Sequence, residues 1–155
     1  MSKYVATIHW ALKPDEAFLD GRYSRAHRWS FDGGADVPAS SSPSVVRVPF
    51  SDPAGVDPEE ALVASLSSCH MLFFLDFAKQ AKFLVEAYED AAEGVMEKGA
   101  DGRVRMTRVT LRPLIRFGER VPSESELAAI HHRAHDACYI ANSVTAEVIV
   151  ENRAG

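Results

Sequence analysis

The chain has 155 residues, nearly half of them apolar and a quarter charged, with a formal net charge of −5. That length supports one domain with a core of its own, and with no dominant basic stripe a nucleic-acid binder is not expected. No apolar run reaches about 18 residues and Met1–Ala6 lacks the apolar centre of a signal peptide, so the expectation is a cytoplasmic protein without a membrane span.

Residues 4–12 alternate, with Tyr4, Ala6, Ile8, Trp10 and Leu12 on one side, which predicts a half-buried strand. After a turn at Lys13–Glu16, a second strand is predicted from Arg22 to Phe31. Its aromatic face, Tyr23, His27, Trp29 and Phe31, carries Arg25 inward and leaves Arg28 to water. Residues 35–43 read as a Ser/Pro/Ala loop, and Val45–Val48 as a short strand. Asp57, Pro58 and Glu60 then form a helix start with a capping box. The helix from Ala61 to Ala78 is apolar almost all round, as expected of a helix enclosed by protein on every side. A chain this short has trouble covering it alone, which predicts a homodimer with this helix at its centre. Residues 84–97 and 103–117 predict a long hairpin around Lys98–Gly102, with Pro113 at an edge or bulge. The arginines from Arg103 to Arg120 belong to its solvated face. A second capping box, Ser123 with Glu126, opens a helix whose apolar stripe is Leu127, Ile130, Ala134 and Cys138. Val144, Ala146, Val148 and Val150 predict a closing strand. With no repeat and no second domain, the order reads as one α+β domain over residues 1–155 with antiparallel sheet.

Cys69 and Cys138 are the only thiols. Far apart in sequence, they are either two inert core residues or one reactive couple, since a buried cysteine is commonly a small hydrophobe. To react, Cys69 needs a nearby cation or donor. It lies about eleven residues from its helix start, too far for the helix dipole to help, and its neighbour His70 diverges from it by about 100° on a helix. Arg25 is the cation that the strand pattern buries, and a buried arginine needs a carboxylate. Glu59 is the candidate, although the macrodipole alone accounts for a carboxylate in a first turn. Glu59 and Cys69 stand roughly 15 Å apart along one helix, so a cluster of all three residues would draw on both chains of a dimer. Trp29, Met71, Phe73, Phe74 and Phe77 are the expected walls of an apolar substrate pocket. His131 and His135 are four apart on one helical face, a spacing able to seat a metal. His132 lies off that face and no further ligand is plainly placed, so neither metal nor cofactor is expected.

The run Asp57-Pro58-Glu59-Glu60-Ala61-Leu62 leading to Ser68-Cys69-His70, the segment Cys138-Tyr139-Ile140-Ala141-Asn142-Ser143-Val144 before a closing strand, and Tyr23-Ser24-Arg25 upstream resemble the OsmC/Ohr family of osmotically inducible and organic hydroperoxide resistance proteins. The Cys-His pair fits the OsmC-like branch better than Ohr, and Arg22–Trp29 is richer in charge and aromatics than the Ohr opening. The resemblance implies antiparallel sheets wrapped around a long central helix in an intertwined homodimer. It implies a thiol peroxidase that reduces organic hydroperoxides, and hydrogen peroxide less well. In it Cys69 is the peroxidatic thiolate, Cys138 the resolving thiol that closes an intrachain disulfide, Arg25 the thiolate's partner and Glu59 the arginine's. A dithiol or lipoyl-type reductant restores both thiols. Arg22 and Arg28 are the alternatives to Arg25. The reading from another class is a non-enzymatic thiol sensor or small-ligand binding protein on the same scaffold. A Cys69–His70 hydrolase dyad fails because adjacent helical residues do not face each other and no glycines build an oxyanion hole.

Overall fold

The computed structural model describes residues 1–151, which fall into two compact units, Met1–Ala61 and Leu62 onward. The first unit is a three-stranded antiparallel sheet in the order β1 (Ala6–His9), β2 (His27–Phe31), β3 (Asp36–Ala39). Ile8 lies opposite Trp29, and Trp29 opposite Val37.

Three expectations for this unit are corrected. The second strand begins at His27, not Arg22. Residues 17–22 close on themselves through Ala17 and Arg22, with Gly21 in the left-handed region at φ 73°, and the Arg25 N–H bonds to Phe50 O. The expected loop at 35–43 contains β3. Its Pro38 is tolerated because β3 is an edge strand, where a missing N–H breaks no ladder. Val45–Val48 is turn rather than strand, its amides bonding back to Ser42 O.

The segment before the first helix is pinned to the end of β3. Val56 N–H bonds to Pro38 O and Ser40 N–H to Val56 O, while Ser40 Oγ accepts from Asp52 N–H at 2.9 Å. Gly55 permits this close approach, since a Cβ there would stand 2.9 Å from the Ala39 carbonyl carbon. Helix α1 (Pro58–Gln80) then starts on the expected box. Asp57 Oδ1 accepts from Glu60 N–H at 2.8 Å, and the Glu60 carboxylate accepts from Asp57 N–H at 3.3 Å.

From Leu62 the helix belongs to the second unit, with β4 (Val85–Asp90), β5 (Glu93–Lys98), β6 (Val104–Leu111), β7 (Pro113–Phe117), α2 (Glu124–Ala137) and β8 (Glu147–Val150). The expected hairpin turns at Gly99–Gly102, but its arms are divided. β5 pairs with β6, and β4 separately with β7. Asp90 marks the division, accepting from Arg112 N–H at 2.6 Å and from the Ser67 hydroxyl. β8 runs parallel to β6, a correction to the all-antiparallel expectation, because α2 and a one-turn 3₁₀ helix at Ala141–Ser143 carry the chain across before it re-enters the sheet.

Two apolar clusters hold this unit. Phe74, Ala78, Phe83, Ile130 and Ala134 join α1 to α2, and Leu66, Val109 and Leu111 join α1 to β6. Gly94 keeps β5 close: a Cβ would fall 2.6 Å from Val63 and 2.5 Å from the Met106 sulfur. By length and composition alone α1 could cross a membrane. Its Ser67–Asp90 bond and the burial of His70 against His131 tie one side of the helix to β4 and α2. The α2 box is complete, Ser123 Oγ accepting from Glu126 N–H and the Glu126 carboxylate from Ser123 N–H. Ser123→Ala is expected to cost about 1 kcal/mol, read as a lower denaturation midpoint; an unchanged midpoint would show that the cap contributes nothing.

Candidate functional site

The first unit builds a cavity of about 390 Å³. One wall is aromatic: Phe18 and Tyr23 stack at 4.7 Å and Trp10 stands against both, its indole N–H bonded to Ser24 O at 2.8 Å. The polar lining is Arg25, His27, Glu59 and the run Ser40–Ser42, in which the Ser41 hydroxyl is buried without a partner among the described residues. Arg25 is half-buried with its guanidinium 3.6 Å above the Tyr23 ring, and its Nη1 donates to Gly21 O and Tyr23 O. Those carbonyls exist as acceptors because the chain turns at Gly21. They leave Nε and Nη2 without protein partners among the described residues.

Glu59 lines the same cavity, brought there by the first turn of α1, yet no ion pair joins it to Arg25 among the described residues. The carboxylate on which Arg25 acts is Glu16. It accepts from the Lys13 and Ser24 amides, which hold its carboxyl below the ordinary value, with Arg25 contributing in the same direction. Arg22 is exposed and paired with Asp20, and Arg28 is exposed and paired with Asp36, so Arg25 is the arginine of this stretch that reaches the cavity.

Trp29 is half-buried and does not line the cavity. Its indole N–H donates to His27 Nε2 at 2.9 Å, which requires the His27 proton on Nδ1, donated to Arg25 O at 2.7 Å. Trp29 therefore acts at one remove, fixing the imidazole that holds the Arg25 backbone. Met71, Phe73, Phe74 and Phe77 belong to the second unit and do not line this cavity either. Phe74 is fully buried against the His131 and Tyr88 rings, Phe73 meets Tyr139 edge-on at 5.0 Å, and Phe77 lies under the Arg133 guanidinium. Met71 is half-buried.

Cys69 and Cys138 are both free thiols of the second unit. Cys69, on the middle turns of α1, is half-buried; Cys138 is buried and caps the C-terminus of α2, one position beyond the last turn in which it was expected. The two thiols are neighbours. The Cys138 thiol is pushed above its ordinary pKa by burial first and by the adjacent Cys69 thiol, against the Ala141 N–H, which donates to its sulfur at 3.4 Å. Asn142 N–H bonds to Cys138 O, Asn142 Nδ2–H to Asp136 O and the Ser143 hydroxyl to Tyr139 O, fixing the segment that carries the thiol.

The sequence reading missed Trp10, Phe18, Tyr23, His27 and Ser40–Ser42 as cavity residues. Tyr23-Ser24-Arg25 was the available signal, but the turn that folds Phe18 and Tyr23 onto Trp10 has no periodicity to betray it. Among the described residues no group of three or more histidine, cysteine or carboxylate side chains is arranged to hold a metal.

A three-stranded antiparallel sheet, a helix opening on Pro-Glu-Glu and a half-buried thiol against a buried one define an α+β protein of the OsmC type. The OsmC-like protein family model matches residues 51–152, and the chain belongs to that family. It is similar to an OsmC-like protein of unknown function from Vibrio cholerae, at 51% identity and TM-score 0.96 over 99% of this chain and 100% of that one. The fold is shared with an organic hydroperoxide resistance protein OsmC from Legionella pneumophila (15% identity, TM-score 0.70, 98% and 96% covered). It is shared also with the organic hydroperoxide resistance protein OhrB of Bacillus subtilis (16%, 0.68, 98% and 98%). Among curated proteins there is no match.

Proposed function

We propose that the chain is a thiol peroxidase that reduces organic hydroperoxides to alcohols, and hydrogen peroxide less well. The observation that carries this reading is the juxtaposition of the half-buried Cys69 thiol and the buried Cys138 thiol. The Cys69 thiolate attacks the distal oxygen of the hydroperoxide. The O–O bond breaks, the alkoxide takes a proton and leaves as the alcohol, and Cys69 becomes a sulfenic acid. The Cys138 thiol attacks that sulfur, water leaves, and a disulfide joins the two. A dithiol or lipoyl-type reductant returns two electrons and two protons. The raised pKa of Cys138 suits the resolving role, because a protonated thiol does not compete for the peroxide.

Arg25 is the cation assigned to the thiolate and Glu59 the carboxylate assigned to Arg25. The cavity they line has the aromatic wall and few polar groups expected of a site for a hydrophobic peroxide. Both chains of a homodimer contribute to the complete site, and the long helix lies at its centre. The apolar side chains that one chain leaves open support this arrangement, among them Tyr4, Ile8, Leu19 and, on α1, Leu72. The protein works in the cytoplasm, where the reductant keeps both thiols reduced between turnovers. The organic hydroperoxide resistance proteins that share the fold support the substrate class.

Thiol titration before and after one equivalent of an alkyl hydroperoxide tests the couple. Loss of both thiols per chain, recovered on adding a dithiol, is the expected result. Loss of neither would mark the cysteines as inert core. Oxidation without rapid recycling under excess reductant would favour a sensor.

A further inference from the structure

The peroxide chemistry uses none of the histidines of the second unit, and three of them are left with unpaired buried nitrogens. His70 and His131 are 1% and 4% exposed, stacked at 5.3 Å, and joined by a 3.0 Å hydrogen bond between His70 Nε2 and His131 Nδ1. Among the described residues His131 Nε2, His70 Nδ1 and His135 Nδ1 have no partner. Burying an imidazole nitrogen unpaired costs roughly 1–3 kcal/mol, so three of them in one region invite an explanation. His131 and His135, one turn apart on α2, both line a cavity of about 230 Å³ with Ala128, His132 and Val150.

We propose that His131 and His135 bind a divalent transition-metal ion in this cavity, with His131 Nε2 and a ring nitrogen of His135 as ligands and water in the remaining positions. Histidines at i and i+4 present their rings on one side of a helix at chelating separation. The His131 ring is also braced as metal-bound imidazoles usually are: its Nδ1 is hydrogen-bonded to His70 Nε2, and in the tautomer the site requires, with the proton on His131 Nδ1, the Nε2 lone pair is free for the ion. His132 stands about 100° around the helix, is exposed and pairs with Asp136 at 3.4 Å; it is not assigned as a ligand. Two nitrogens with no protein carboxylate or thiolate suit copper, nickel or cobalt better than calcium or magnesium. Water-filled positions give an exchangeable ion, whose affinity rests on the two rings.

The test is a titration of the reduced wild-type protein with Co²⁺, followed by absorption spectroscopy and calorimetry. One ion per chain is expected, with weak d–d bands and no intense near-ultraviolet sulfur charge transfer. His135→Ala is expected to weaken binding at least tenfold, and His132→Ala to leave it within twofold. Because His131 is buried and its replacement is able to disturb folding, His135→Ala carries the test, with an unchanged far-ultraviolet circular dichroism spectrum as its control. No stoichiometric binding, a sulfur charge-transfer band, or equal losses in the His132 and His135 variants would each overturn the proposal. None of these readouts depends on peroxide turnover, so the site stands or falls apart from the peroxidase assignment.

Discussion

Cys69→Ser is expected to lower the reduction of cumene hydroperoxide to background, a loss on the order of 10³-fold or more, because the attacking atom is gone and a serine hydroxyl is not ionised at neutral pH. Cys138→Ser is expected to behave differently. It keeps the attacking sulfur, so one equivalent of alcohol per chain forms in a burst, and then turnover stalls. Excess peroxide drives the stranded sulfenic acid on to the sulfinic state, which a dithiol does not reverse. The contrast between a dead enzyme and a single-turnover one assigns the two thiols their separate roles, which loss of activity alone would not. The exposures agree with that proposed order, Cys69 being half-buried and Cys138 buried. If Cys69→Ser protein consumed the peroxide at the wild-type rate, the assignment would be wrong.

The second large effect is on stability. His70 and His131 each have a pKa lowered from 6.5 to about 4, by burial first, with His135 contributing at His70 and His70 at His131. Asp90 pulls His70 the other way, and the Tyr88 hydroxyl, its pKa raised by burial, supplies no positive charge. Both imidazoles are therefore neutral in the native state while the unfolded chain protonates them below about pH 6.5. Between there and pH 4 the unfolded state binds more protons, so stability rises with pH and is lost as pH falls. For one imidazole the loss is of order 3 kcal/mol. The check is the denaturation midpoint from pH 7 to 4.5, compared with His70→Leu/His131→Leu. The wild type is expected to fall steeply and the double variant much less. The carboxylates whose pKa values are lowered, Glu16, Asp76 and Glu126, are common to both proteins and cancel in the comparison. Parallel profiles would remove the histidine pair as the cause.

Local chemistry accounts for what the sequence made legible. Both helix starts rest on capping boxes within four residues, and both formed where Asp57–Glu60 and Ser123–Glu126 called for them. The turn of the β5–β6 hairpin is marked by its glycines. What stayed hidden depends on partners distant in the chain. Arg22–Ala26 alternates like a strand, but its hydrogen bonds go to Ala17, Glu16 and Phe50, and nothing local reveals those partners. Pro38 disguised an edge strand, and the parallel entry of β8 beside β6 depends on a pairing nearly forty residues away. The same division applies to the site. The residue types were visible, and the family resemblance joined the two cysteines, which spacing left open. The cavity escaped notice because Trp10, Phe18 and Tyr23 meet only through an irregular turn. The walls expected instead on α1 are apolar for the sake of the core, as Phe74 between two rings illustrates.

Cys138 terminates α2 and its sulfur receives the Ala141 amide. A sulfur in a disulfide keeps its lone pairs, so that amide stays satisfied whether the residue is a thiol or half of a bond. On the proposed cycle, then, the protein stores an oxidising equivalent without dismantling the corner that holds it. The reduced and oxidised forms would share one architecture, and the pace of recycling would fall to how quickly the electron donor arrives rather than to any refolding between strokes.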